Sequence, residues 1–127
     1  MRYLALLFVF LSFSALTSEG WAQTQWEMND LACADLEKAD KKLNAIYKRL
    51  ISQNGDNPQA RSDLKKAQQA WLKFVEFHMK TVFPLKDGEN PRVLYGSIYP
   101  YEFATEKTFL FTQRIKQLEG LLNDPVK

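Results

Sequence analysis

Apolar residues recur every three or four positions along three stretches of this chain, and that spacing commits most of the backbone to amphipathic helices. From about Glu27 to Ile51 the stripe is Ala32, Leu36, Ala39, Leu43, Ile46, Tyr47 and Leu50, with Glu37, Lys38, Lys41, Lys42, Lys48 and Arg49 on the opposite, solvated side. Ser52 to Asn57 then carries turn chemistry, and Asn57-Pro58 reads as an N-cap followed by proline at the first helical position. The second helix is predicted from Pro58 to Val82 with a stripe of Leu64, Ala67, Trp71, Phe74, Val75, His78 and Val82, stopped by Pro84. The segment Lys86 to Pro91 holds two breakers and reads as loop. The last helix is predicted to begin near Pro100 or Tyr101 and to end near Leu122, with a stripe of Ala104, Phe111, Arg114, Ile115, Leu118, Leu121 and Leu122. Between these, Arg92 to Tyr99 is too short and too broken to compete as a strand. The expected fold is all-α: a compact antiparallel bundle of three main helices, with one long loop before the last.

The N-terminus has a different character. Met1-Arg2-Tyr3 is a short positive start, and Leu4–Leu16 is an apolar run of 13 residues, shorter than the roughly 20 a membrane span requires. Small residues Gly20 and Ala22 flank Trp21, which predicts a secretory signal peptide over residues 1–22 cut after Ala22. A single helical domain, 23–127, would remain, delivered to the periplasm or the exterior and without a later segment apolar enough to span a bilayer. Arg2 and Glu19 leave together, so the net charge of +2 is unchanged by the cut.

That charge is too evenly balanced for a nucleic-acid binder, which gathers basic residues on one face. One histidine and one cysteine cannot build a Cys/His zinc site, and nothing in the sequence points to a metal or another cofactor. Enzymatic chemistry is also poorly provided for. His78 falls within the apolar stripe, which predicts a core histidine with one hydrogen bond rather than a general base. Carboxylate pairs such as Asp35 with Glu37 and Glu102 with Glu106 lack any sign of the cleft that would raise one pKa. The chain therefore reads as a non-enzyme. Cys33, alone in an oxidising compartment, is expected as a partly buried inert thiol, the alternative being an intermolecular disulfide.

Two polar features on apolar faces carry more information. Arg114 lies between Phe111 and Leu118, where an unpaired guanidinium is costly, so it must reach water or a carboxylate. Asp40, Asn44 and Tyr47 line one edge of the first stripe and offer an acceptor, which predicts an Arg114–Asp40 bridge pinning the last helix to the first. The second feature is the loop from Pro84 to Pro100, whose end places Tyr95, Tyr99 and Tyr101 around Gly96-Ser97. Tyrosines supply large, rigid contact area with a polar tip, so they either form an interface or cap the open end of the bundle. From Pro84 to Glu106, Lys86 and Arg92 stand against Asp87, Glu89, Glu102 and Glu106, a local net charge of −2 that favours a cationic partner.

Met28-Asn29, the Asp40-x-x-Leu43-Asn44-x-x-Tyr47 and Ala67-Gln68-x-Ala70-Trp71 elements, Phe74, Gly96-Ser97, Arg114 and Leu118 together resemble the LprI-type lysozyme inhibitor family. The resemblance implies a small secreted helical domain without catalytic residues, in which Asp40, Asn44, Tyr47, Gln68, Trp71 and Arg114 are structural. It also marks departures. The family's usual cysteine three residues after the methionine is Leu31 here, with Cys33 displaced by two; its Arg-Asp pair is replaced by Val75-Glu76; and Met79 and Glu106 stand at or near two further cysteine places. The family's disulfides are thus unavailable to this chain.

The expected function is inhibition of a lysozyme-type cell-wall hydrolase by steric blocking. The loop Tyr95–Tyr101, with Gly96 and Ser97, would cover the cleft, and Asp87, Glu89 and Glu102 would favour a basic enzyme. A related alternative is an immunity protein against a rival's peptidoglycan hydrolase. A different one is a structural or chaperone-like envelope protein working through an apolar concave face.

Overall fold

The structure, a computed structural model, describes residues 19–124, with side chains from residue 24 onward. Four helices follow in order: α1 (Glu19–Gln53), α2 (Pro58–Val82), α3 (Pro91–Tyr95) and α4 (Tyr99–Asn123), and the described residues contain no strand. Most of the predicted leader lies outside the described residues, and α1 runs through the predicted cut after Ala22.

The helix limits follow from local chemistry. Asn57 sits in extended backbone and its side-chain oxygen accepts from the Ala60 amide at 2.9 Å, while Pro58 occupies the first turn, where its missing N–H costs nothing. α2 closes with the Phe83 amide donating to the Met79 carbonyl at 2.9 Å, and Pro84 forbids another turn. The same pair of signals recurs at Asn90-Pro91: Asn90 accepts from the Arg92 amide at 2.9 Å and Pro91 opens α3. The loop expected before the last helix therefore contains a short helix. It ends at Gly96, whose φ of +81° is a conformation that side-chain-bearing residues rarely adopt.

α1 packs along α4, and this pair supplies most of the core, to which α2 adds Val75 and Met79. Leu43 and Leu118 are completely enclosed, with Ala39, Ile46, Leu50, Leu110, Phe111 and Ile115 around them. Ala32, Ala39 and Ala104 are buried in the same seam, where small side chains let two helices approach closely. Enclosing one leucine fully is worth about 1.5–3 kcal/mol relative to leaving it in water.

α2 meets α4 at fewer points and through larger side chains. Gln68 faces Arg114, Trp71 meets Phe111 with ring centroids 5.3 Å apart, and His78 lies 2.7 Å from Glu106. Because α2 leans chiefly on one neighbour, its buried seam is narrow. Gln68, Val75 and Met79 are buried, whereas Ala67, Phe74 and Val82, expected on the stripe, are exposed. Leu121 at the far end of α4 is likewise exposed, and Leu110, absent from the expected stripe, is buried. His78 is half-buried and has one hydrogen-bonding partner, Glu106, with the Phe74 ring beside it at 5.6 Å.

Candidate functional site

The segment from Phe83 to Tyr99 is held by an aromatic nest. Phe83, the capping residue of α2, presents its ring to Tyr95 at 5.6 Å and to Tyr99 at 5.3 Å, both nearly edge-on, and to Phe103 at 6.0 Å. Tyr95 and Tyr99 stack on each other at 5.7 Å with planes 19° apart. Such offset and edge-to-face geometries are the favourable ones for rings that carry quadrupoles. The Tyr95 hydroxyl donates to the Pro84 carbonyl at 2.7 Å, tying the end of α3 to the start of the loop. Burial, with a smaller contribution from neighbouring Tyr95, pushes the Tyr99 hydroxyl above the usual tyrosine range.

A second anchor comes from the other side of the molecule. The Asn29 side-chain amide on α1 donates to the Ser97 carbonyl at 3.0 Å, and Gln25 donates in turn to the Asn29 side-chain oxygen at 3.1 Å. The loop is therefore fastened to α2 at one edge and to α1 at the other. Asn29 was visible in the sequence only as half of the Met28-Asn29 motif.

The tyrosines thus divide. Tyr95 and Tyr99 are half-buried and turned into the nest, while Tyr101 lies apart from them, lining a groove between α1 and α4 with Leu31, Ala32 and Thr105. Outward the loop presents the aliphatic Val93, 82% exposed, Leu94, 52%, and Ile98, 37%, together with the charged side chains of Lys86, Asp87, Glu89 and Arg92. Five residues of α3 have no room for a buried stripe once Tyr95 is turned inward, so Val93 and Leu94 are left on the outer side. Beside them, Glu89 folds back so that its carboxylate accepts from the Lys86 amide at 2.8 Å, and Gly88, at φ +81°, turns the chain between Asp87 and Glu89. Asp87, Glu89 and Glu102 are all exposed, and Gly96 and Ser97 lie exposed between α3 and α4. Glu102 stands apart from the other two acids, on the first turn of α4, where the helix N-terminus favours a negative charge. Glu106 is engaged with His78 and is not part of this acidic surface.

The structural polar residues also differ from expectation. Arg114 does not bridge to Asp40. Its Nε donates to the Gln68 side-chain oxygen at 3.1 Å, an Nη donates to Gln117 at 3.1 Å, and the guanidinium lies 5.9 Å from the centre of the Trp71 ring. Arg114 points along the α2 side of α4, away from the exposed edge of α1 where Asp40 accepts from Asn44 at 3.2 Å. Partial burial lowers the Arg114 pKa from its usual value, and the group remains a cation. Gln68 and Trp71 are its partners, so two residues of the Ala-Gln-x-Ala-Trp element meet one arginine. Tyr47 packs half-buried against the core. Cys33 is a free thiol and exposed, in place of the partial burial expected of it.

A family profile described as "Lysozyme inhibitor LprI" matches residues 17–118. No curated protein and no solved structure matches the chain.

Proposed function

Since the chain belongs to the LprI lysozyme inhibitor family, whose members are inhibitors rather than enzymes, we propose that it binds a lysozyme-type cell-wall hydrolase and blocks its cleft with the segment between α2 and α4. The observation that carries this reading is the knuckle at α3. Val93 and Leu94 project from a short helix fastened by Tyr95 to Pro84 and by Ser97 to Asn29, so an apolar tip stands on an ordered base. Ordering such a segment before binding spares the complex much of the entropy cost of fixing it. Asp87 and Glu89 share this segment with the equally exposed Lys86 and Arg92, so it is balanced in itself, and Glu102 on the first turn of α4 leaves a small negative excess that suits a cationic hydrolase. In this reading Val93, Leu94, Gly96 and Ser97 touch the enzyme, Asp87, Glu89 and Glu102 set its charge preference, and Tyr95 and Tyr99 position the tip from behind. The protein acts outside the cytoplasm once residues 1–22 are removed.

The test is lysis of peptidoglycan-bearing cells by a panel of cationic lysozymes and muramidases, with and without the purified protein. The expected result is inhibition that weakens at least tenfold in Val93→Ser/Leu94→Ser, since truncating a central interface anchor commonly costs 2 kcal/mol or about 30-fold. Asp87→Lys/Glu89→Lys should slow association and reduce its salt dependence. Undiminished lysis across the panel would sink the inhibitor proposal, and full inhibition by the Val93/Leu94 variant would move the contact surface elsewhere.

A further inference from the structure

A groove of about 330 Å³ runs between α2 and α4 on a surface distinct from the α3 tip. Its walls are apolar: Leu72, Val75 and Met79 from α2, Phe83 just beyond it, and Tyr99 and Phe103 from α4. Two cations and one acid stand at its margin. Lys80 is paired with Glu76 one helical turn away and lies over the Phe77 ring at 5.3 Å, so its charge is already answered. Lys107 is different. Its ammonium is held over the rings of Phe103 at 5.8 Å and Phe111 at 5.7 Å, and it has no carboxylate partner among the described residues. On its α1 side Lys107 shares a second groove with Glu37, which is paired with Lys41, and with Asp40, which accepts from the neutral Asn44 amide and keeps its charge; neither carboxylate lies within ion-pair distance of Lys107.

We propose that this groove binds a free medium-chain fatty acid, with the acyl chain along Leu72, Val75, Met79 and Phe103 and the carboxylate on the Lys107 ammonium. The volume lies at the lower end of ligand pockets, about 300–1,000 Å³, which suits one acyl chain and not a two-chain lipid. The charge is complementary: an ammonium that partly covers two aromatic rings is partly desolvated, and a carboxylate is the partner that strengthens most in such a place. The apolar walls select the chain, and Lys107, the cation at the margin without an ion-pair partner, selects an anionic head. The groove shares Phe83 and Tyr99 with the anchor behind the α3 tip, but Val93 and Leu94, which the inhibitor proposal places against the enzyme, do not line it, so substitutions at Leu72 and Lys107 test this site without touching the tip.

Isothermal titration of the purified protein with octanoate, decanoate and decanol, all below their micellar concentrations, tests it. Decanoate should bind more than tenfold tighter than octanoate, since each buried methylene is worth about fourfold in affinity. Decanoate should also bind several-fold tighter than decanol, and Lys107→Gln should erase that preference while leaving decanol binding unchanged. Leu72→Glu, at an exposed position on the wall, should weaken decanoate at least tenfold with helicity by circular dichroism unaltered. The proposal is overturned by an absence of saturable binding, by equal affinity for octanoate and decanoate, or by an acid preference that survives in Lys107→Gln. It is overturned as well by retention on phosphatidylglycerol vesicles without binding of free decanoate, or by a dimer that Leu72→Glu dissociates and decanoate does not.

Discussion

Arg114 offers the sharpest test of how α2 is attached to the rest of the molecule. Its Nε meets the oxygen of Gln68, a residue only 8% exposed, while its face lies toward Trp71. A hydrogen bond from a charged donor contributes about 1.5–3 kcal/mol when enclosed, and about half of that is reasonable for a guanidinium that still reaches solvent. The contact with Trp71 adds about 0.5–1 kcal/mol. Arg114→Ala should therefore destabilise the fold by about 2 kcal/mol, or about 8–16 °C in Tm at 4–8 °C per kcal/mol for a domain of this size. Gln68→Ala should cost about 1–3 kcal/mol, because it opens a small void and leaves Nε short of its acceptor. The double variant should fall short of the sum by about 1 kcal/mol in urea titrations, the signature of two groups in contact. Asp40→Ala combined with Arg114→Ala should instead be additive, since the two residues do not touch. Additivity at Gln68 together with coupling at Asp40 would refute the geometry and restore a link from α4 to α1.

Phe83→Ala should remove the ring against which Tyr95, Tyr99 and Phe103 pack, at a cost of about 2–3 kcal/mol, below the usual 3–5 for a fully buried phenylalanine because Phe83 is half-exposed. Hydrogen exchange should then quicken from residue 84 to 98 while the α1–α4 core keeps its protection, and uniform quickening would mean that the nest is not a separate anchor. Tyr99→Phe addresses pH. The folded pKa of Tyr99 is raised, so the stability it confers is complete below the unfolded value of about 10 and is lost as pH rises through the folded one. The wild type should lose stability above that pH more steeply than Tyr99→Phe, with the two alike at pH 7; parallel alkaline declines by thermal melts would contradict this.

Legibility in the sequence followed the strength of the local signal. Asn57-Pro58 and Pro84 set both ends of α2, and the seam from Leu36 to Leu50 needed nothing beyond its spacing. Asn90-Pro91 repeats the signal of Asn57-Pro58, yet five residues are too few for a periodicity, so in the sequence the two breakers outweigh the cap and α3 is not distinguishable from loop. The partner of Arg114 was hidden for another reason. Helical spacing places a residue on a face but does not say which neighbour covers that face, and charge alone favours an aspartate for an arginine, where two glutamine amides and an indole ring suffice. In the loop no period exists to project side chains inward or outward. Composition drew attention to the tyrosines, and packing turned two of them inside, leaving Val93 and Leu94 as the exposed tip.

The tip's order has to come from non-covalent anchors. The one cysteine of the chain, Cys33, is an exposed free thiol, so no disulfide within the molecule can brace the segment. A disulfide would constrain a chain by about 2–4 kcal/mol. Here the Tyr95–Pro84 and Asn29–Ser97 hydrogen bonds contribute about 1 kcal/mol each, and the paired rings around Phe83 about 0.5–1.5 kcal/mol per pair. Together these anchors reach the same range as one disulfide. They are distributed between α1, α2 and α4, so the tip is ordered only when the helices that carry it are assembled. The dependence runs one way: order at the α3 tip requires α1, α2 and α4 in place, whereas the α1–α4 core does not require the tip. Phe83→Ala should therefore loosen the tip alone, and a substitution that frees α2 from α4, at Trp71 or Gln68, should loosen the tip together with α2.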